Sequence, residues 1–117
     1  MAIPSGSGSE VLKRGLFAVT SNSNTKIIDG VANQIYSVIS IIITETSGNA
    51  ETFGLFIDEN AGGTNHEIVS LATPLAGDST FVFNDRFVIS GADELVFKAG
   101  GTCTINVVVS YIDQDWT

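Results

Sequence analysis

The sequence predicts an all-β fold, a single antiparallel β-sandwich or jelly roll of about eight strands with an extended N-terminal arm. From Leu12 onward, short β-branched and aromatic runs are separated by Gly, Asn, Asp and Ser. No window sustains a 3.6-residue apolar period, so helix is expected to be nearly absent. Turn residues recur at roughly ten-residue intervals, the spacing of sandwiches and jelly rolls. With 117 residues the chain can close one hydrophobic core but not two. Two regions are expected, an arm over residues 1–11 and a sandwich domain over 12–117.

The arm contains Pro4-Ser5-Gly6-Ser7-Gly8-Ser9, a composition that resists packing and behaves as a flexible linker when free. It is either a frayed terminus or an extension that orders against a neighbouring subunit. Strands are expected near residues 13–20, 24–29, 34–45, 51–58, 66–71, 79–84, 86–90, 94–98 and 103–113. In 51–58 the side chains of Phe53, Leu55 and Ile57 share one face, as do Ile105, Val107, Val109 and Tyr111 in the last strand. These two faces are expected to meet in the core. The segment 35–43 differs, because strict alternation sets Ile35, Ile39, Ile41 and Ile43 against Tyr36, Val38 and Ile42. A strand that is apolar on both sides is one covered on both sides, and a partner chain could supply the second cover.

Turns are expected at Asp29-Gly30, Ser47-Gly48-Asn49, Asn60-Ala61-Gly62-Gly63, Ala76-Gly77-Asp78, Ser90-Gly91-Ala92 and Ala99-Gly100-Gly101, whose residues tolerate positive φ. No internal repeat of propeller or solenoid length is present.

Charge is sparse and one-sided: five Lys and Arg against thirteen Asp and Glu give a net charge of -8. A nucleic-acid backbone would be repelled, and the only adjacent cations are Lys13 and Arg14. The hydrophobic fraction of 44% beside 15% charged residues implies that partners cover part of the apolar surface. The single Cys103 sits in an apolar stretch and is expected to be a buried, inert thiol. No signal-peptide pattern follows Met1, and no apolar run approaches the roughly 20 residues of a membrane helix. The chain is therefore expected to be made and folded in the cytosol, with no membrane partner.

Catalytic and metal chemistry find little support. The only imidazole, His66, lies in a polar loop with no nucleophile elbow nearby. The run Asp58-Glu59-Asn60-Ala61-Gly62-Gly63 begins like a calcium loop, but Gly62 offers no ligand at the fifth position and Val69 occupies the twelfth. An exposed acidic turn is the default there, with a loosely held cation as the alternative. One Cys and one His cannot build a zinc site. No phosphate-binding glycine motif occurs, and pairs among the thirteen carboxylates do not mark a glycosidase, because carboxylates at strand ends are commonplace and sequence does not set their separation. No enzyme activity and no cofactor are expected.

Protein contact is the better reading. The C-terminal stretch carries Trp116, the chain's only Trp, which either caps the domain's own core or anchors in a neighbour's pocket. In Phe81-Val82-Phe83, consecutive apolar residues must face both ways, and one face could meet a partner. The candidate protein-binding residues are Ile3, Pro4, Val11, Leu12, Arg14, Phe81, Phe83 and Trp116.

Three stretches, Met1 to Arg14, Thr80-Phe81-Val82-Phe83-Asn84-Asp85-Arg86-Phe87 and Tyr111 to Trp116, together resemble small virion proteins of tailed bacteriophages, particularly those of marine and freshwater bacteria. The resemblance implies a β-sandwich structural protein that decorates and cements a capsid, with the major capsid protein or another virion protein as partner. It also allows a neck, tail or fibre-adaptor component, and a homo-oligomer, trimer or dimer, in either place. The acidic charge, repelled by packaged DNA, favours the outer surface of the virion. From a different class, a carbohydrate-binding module for host recognition would need aromatics in turns. Here Phe17, Phe53, Phe56, Phe81, Phe83, Phe87 and Phe97 all fall inside apolar runs.

Overall fold

The computed structural model describes residues 9–115. They form nine strands: β1 (Ser9–Val19), β2 (Thr25–Asp29), β3 (Gln34–Glu45), β4 (Glu51–Asp58), β5 (Asn65–Leu75), β6 (Thr80–Phe83), β7 (Phe87–Ser90), β8 (Glu94–Ala99) and β9 (Ile105–Asp115). A single 3-10 turn, Glu59–Ala61, joins β4 to β5.

Two antiparallel sheets face each other. One runs β1-β9-β3-β6, with β7 pairing β3 beyond the end of β6; the other runs β2-β8-β4-β5. Because β6 and β7 line up along the same edge of β3, they act as two halves of one strand. Two four-position sheets result, with the strand order of a jelly roll. The core between them is built from the alternating positions expected from the sequence, including Phe53 and Leu55 of β4 against Ile105, Val107 and Val109 of β9. Phe53 stacks on Phe97 at 5.8 Å and meets the edge of Phe81 at 5.1 Å. Ile57 and Tyr111 extend this packing as partly buried members.

Strand β3 departs from strict alternation. Tyr36 and Val38 point into the core, then Ile41, Ile43 and Glu45 do so. The switch from even to odd positions comes from a β-bulge between Val38 and Ser40, where β9 has no matching extra residue. The inward set is therefore Tyr36, Val38, Ile41 and Ile43. Ile35 does not share a face with Ile41 and Ile43, and Ile42 remains outward.

Strand β1 begins at Ser9, so the last three residues of the expected arm, Ser9, Glu10 and Val11, pair with Asp115, Gln114 and Asp113. The β9 backbone needs a partner along its whole length, and this stretch of Ser, Glu and Val supplies one. Ile3, Pro4 and the remainder of the expected arm, together with Trp116, lie outside the described residues.

In the second sheet, β5 carries extra residues opposite β4: Phe53 pairs with Thr73 while Leu55 pairs with Val69. The surplus is fastened locally. Leu71 N donates to Glu67 Oε1 (2.9 Å) and Thr73 Oγ1 donates to Ser70 O (2.7 Å). Leu71 comes to lie over Gly54, where a Cβ would sit 2.5 Å from Leu71 Cα. Only glycine admits so close an approach.

Candidate protein-contact surface

Because the first sheet buries one side in the core, its other side is defined by register. Across β1, β9, β3 and β6, Leu16 pairs with Val108, Val108 with Ile42, and Ile42 with Val82. Two residues further along the strands, Arg14 pairs with Ser110 and Ser110 with Ser40. Two further again, Leu12 pairs with Ile112, Ile112 with Ser37, and Ser37 with Val88. Two apolar rows thus cross the sheet with a polar row between them. Leu12, Leu16, Ile42, Val82 and Val88 are exposed, from 37% at Ile42 to 71% at Leu12, while Val108, Ile112 and Ser37 between them are half-buried. Among the outward paired positions of this sheet only Glu10 and Arg14 are charged, and Glu10 accepts from Gln114 Nε2 at 2.9 Å. The surface is shallowly concave, with a depression of about 560 Å³ around Leu12, Arg14, Ile39, Ser40 and Ser110.

The outer side of the second sheet has the opposite character. Asp29, Glu94 and Asp58 face one another across β2, β8 and β4. Lys26 Nζ reaches Glu94 at 2.9 Å. One face of the molecule is therefore apolar and nearly uncharged, and the other is acidic.

The sequence-predicted contact residues divide accordingly. Leu12 and Arg14 stand on the apolar face. Phe81 and Phe83 turn toward the core, Phe83 edge-on to Phe87 at 5.8 Å, and the outward member of that run is Val82. Val11 belongs to the inward side of β1, where the sheets splay apart. There it lines a polar cleft of about 360 Å³ with Lys13, Gln34, Tyr36 and Asp113.

That cleft holds a network which no local sequence signal announces. Lys13 Nζ donates to Asp113 Oδ2 at 2.8 Å. The Gln34 amide, with its nitrogen turned to Asp113, donates to both carboxylate oxygens (2.9 and 3.1 Å) and to Tyr36 Oη (2.9 Å). Val31 N also donates to Tyr36 Oη, at 3.0 Å. The hydrogen bond to Asp113 is the main reason the Lys13 ammonium titrates above its usual range. Burial pushes the Tyr36 phenol up. With the Asp113 carboxylate occupied by neighbours, the network stabilises the open end of the sandwich.

A second internal network closes the other end. Glu45 is fully buried, and its carboxylate accepts from Ser47 N (2.8 Å), Ser47 Oγ (2.7 Å), Gly48 N (2.7 Å) and Asn49 N (3.2 Å). Burial alone would raise its pKa. The donors of Ser47, Gly48 and Asp78 together outweigh that, and Glu45 titrates below its ordinary value. Its role is to hold the β3–β4 turn.

His66 is exposed, with Glu59 Oε1 at 3.9 Å. Asp58 Oδ1 accepts from Gly62 N (3.0 Å) and Asp93 Oδ1 from Asn60 N (2.9 Å), so both carboxylates brace the loop backbone. Among the described residues no three His, Cys, Asp or Glu side chains group as metal ligands. Cys103 is buried, its Sγ 3.5 Å from Val19 O. Burial first, then the charges of Glu51 and Glu45, raise its pKa and keep it a thiol. Among the described residues no helix is long and apolar enough to cross a membrane.

No protein-family model matches the sequence, and no curated protein matches it. Solved structures do resemble it in fold. A chain from the Bacillus endospore appendages, a family of disulfide-linked pili, aligns with a TM-score of 0.58 at 13% identity, over 100% of this chain and 97% of that one. A chain of the acid-stable capsid of Helicobacter pylori bacteriophage KHP30 aligns with a TM-score of 0.51 at 10% identity, over 92% and 93%. A chain of the T13 IBDV viral particle aligns with a TM-score of 0.58 at 12% identity, over 92% of this chain but only 31% of its own length. At these identities the likenesses establish a shared β-sandwich fold, one that also serves in viral shells and in a pilus.

Proposed function

We propose that this chain is a structural protein of a bacteriophage virion, bound as a head decoration protein to the outer surface of the capsid. The observation that carries this reading is the apolar, nearly uncharged outer face of the β1-β9-β3-β6 sheet on a chain of net charge -8. Exposed apolar rows of this extent mark a surface for another protein. The acidic opposite face suits contact with water and opposes packaged DNA, which favours a place outside the shell. The fold it shares with a phage capsid chain agrees with such a role. Ser9 pairs with Asp115, so the first and last described residues lie side by side at one end of the sheet. That end is the proposed point of attachment to the major capsid protein. Multiplicity over many equivalent sites makes modest contacts strong.

The disulfide linkage of the Bacillus pili finds no matching chemistry here, since the only cysteine is buried and protonated. A carbohydrate-binding platform fares no better. The phenylalanines Phe53 and Phe97 are fully buried, and Phe17, Phe81, Phe83 and Phe87 pack against the core.

Antibody labelling of intact virions, viewed by electron microscopy, tests the proposal. Label spread evenly over the head is expected. Label confined to one vertex or to the tail would replace decoration with a neck, tail or fibre-adaptor role, and no label would remove the virion reading.

A further inference from the structure

We infer that the outer face of the β1-β9-β3-β6 sheet is the contact between two copies of this chain, related by a two-fold axis that runs along the strands between β9 and β3. The inference rests on the reading of this face as a protein contact and names its occupant.

The rows themselves are self-complementary. Turning the sheet over about that axis exchanges β1 with the β6/β7 edge and β9 with β3, while each row stays at its own level. Leu16 then meets Val82 of the second copy, Val108 meets its Ile42, Leu12 meets its Val88 and Ile112 meets its Ser37. The polar row obeys the same exchange. The β6–β7 connection, residues 84–86, passes β3 beside Ile39 and Ser40, because Phe83 pairs with Ile41 and Phe87 with Val38. Continuing the β6 register past Phe83 sets Asn84 opposite Ser40, with Asp85 and Arg86 following it, so the two-fold brings Arg14 of each copy against the connection of the other that carries Asp85. Both side chains are exposed, and neither has an ion pair or hydrogen bond among the described residues. An unpaired cation that faces a connection carrying an unpaired carboxylate, twice over, suits an isologous contact.

Two further arguments favour a second copy over an unrelated protein. Chains of net charge -8 repel each other except where carboxylates are scarce, and this is the face where they are scarce. Four strand positions about 4.8 Å apart and about nine residues of 3.4 Å span roughly 600 Å² in flat projection, close to the ~800 Å² of accessible surface each partner gives to a standard interface. Side chains on such faces interdigitate as in aligned sheet packing. A two-fold across the strands instead would set Arg14 on Arg14.

The test is a charge swap, read by sedimentation equilibrium and native mass spectrometry of the full chain, with thermal melting to confirm folding. The wild type is expected to be a dimer. Arg14→Asp alone and Asp85→Arg alone each face like charges at both contacts and are expected to dimerise at least about tenfold more weakly. Mixing the two single variants restores opposite charges at both contacts, so a mixed dimer is expected where neither variant dimerises alone. Leu16→Lys, which no charge partner rescues, is expected to be monomeric. A wild-type monomer or trimer, single variants that dimerise like wild type, or a mixture that stays monomeric would each overturn the inference. The virion reading is judged separately by the labelling experiment: a dimer that labels no virion removes that reading alone, and a labelled monomer removes the dimer alone.

Discussion

Replacing Gly54 with alanine puts one methyl group where β5 folds over β4. The added Cβ would lie 2.5 Å from Leu71 Cα, 2.5 Å from Leu71 Cδ2 and 2.9 Å from Leu71 N. Carbon atoms rest about 3.5–4.0 Å apart, so the local backbone must retreat by about 1 Å. That retreat strains the Leu71–Glu67 hydrogen bond that shapes the bulge. Overpacking of this kind costs about 1–3 kcal/mol. For a domain near 100 residues, a 2 kcal/mol loss lowers Tm by roughly 8–16 °C. Thermal and urea unfolding followed by circular dichroism measures it. Because two of the three atoms are backbone, adding Leu71→Ala to Gly54→Ala should recover little. Gly101→Ala is the control, since nothing lies within 4 Å of its Cβ position, and its Tm should not fall. A Gly54→Ala protein melting within 2 °C of wild type, on the order of experimental scatter for such shifts, would refute the close-approach argument.

Two pH-linked predictions follow from the ends of the sandwich. Glu45 has a folded pKa below its unfolded value, so its contribution is present above about pH 4.3 and lost as pH falls through the lower folded value. A Tm-against-pH series should therefore show an acid limb that Glu45→Gln flattens, and an unchanged limb would contradict the role of its donors. Lys13 is the reverse case: its folded pKa is raised, so its contribution is present below about pH 10.4 and lost as pH rises through the folded value. Lys13→Met should cost about 1 kcal/mol at neutral pH, near the range of exposed pairs because the lysine side chain is half exposed and Gln34 still donates to Asp113. Urea unfolding at pH 7 and pH 11 checks both the size and the convergence of the two proteins at high pH.

The sandwich was legible because its inward positions obey period two over long runs. Strands 34–45 and 51–58 coincide with β3 and β4, and Phe53, Leu55, Ile105, Val107 and Val109 are buried as alternation demands. What escaped has physical causes. The phase change in β3 arises from a bulge whose position depends on β9, some seventy residues away, and Ile39 looks like its neighbours in the sequence. Strand β5 continues past 71 to Leu75 through Pro74, which the edge of a sheet tolerates because no N–H is needed there. The cleft network joins Lys13 to Asp113 across a separation of 100 residues. For the contact face, Leu12 and Arg14 could be chosen from the sequence, and Val82 could be placed opposite its flanking phenylalanines. The assembly of Leu16, Val108 and Ile42 into one row needed the register of three strands.

The antiparallel pairing of Ser9 with Asp115 also sets how this molecule carries load. Force that draws the two chain ends apart peels β1 from β9 in a zipper geometry, so the hydrogen-bonded rungs from Ser9 to Val19 are stressed one after another and yield at low tension. Force applied to both ends together and resisted along β3 acts lengthwise on the ladders that flank β9, where all rungs share the strain at once. The same strands are thus weak against separation of their ends and strong against a pull on both.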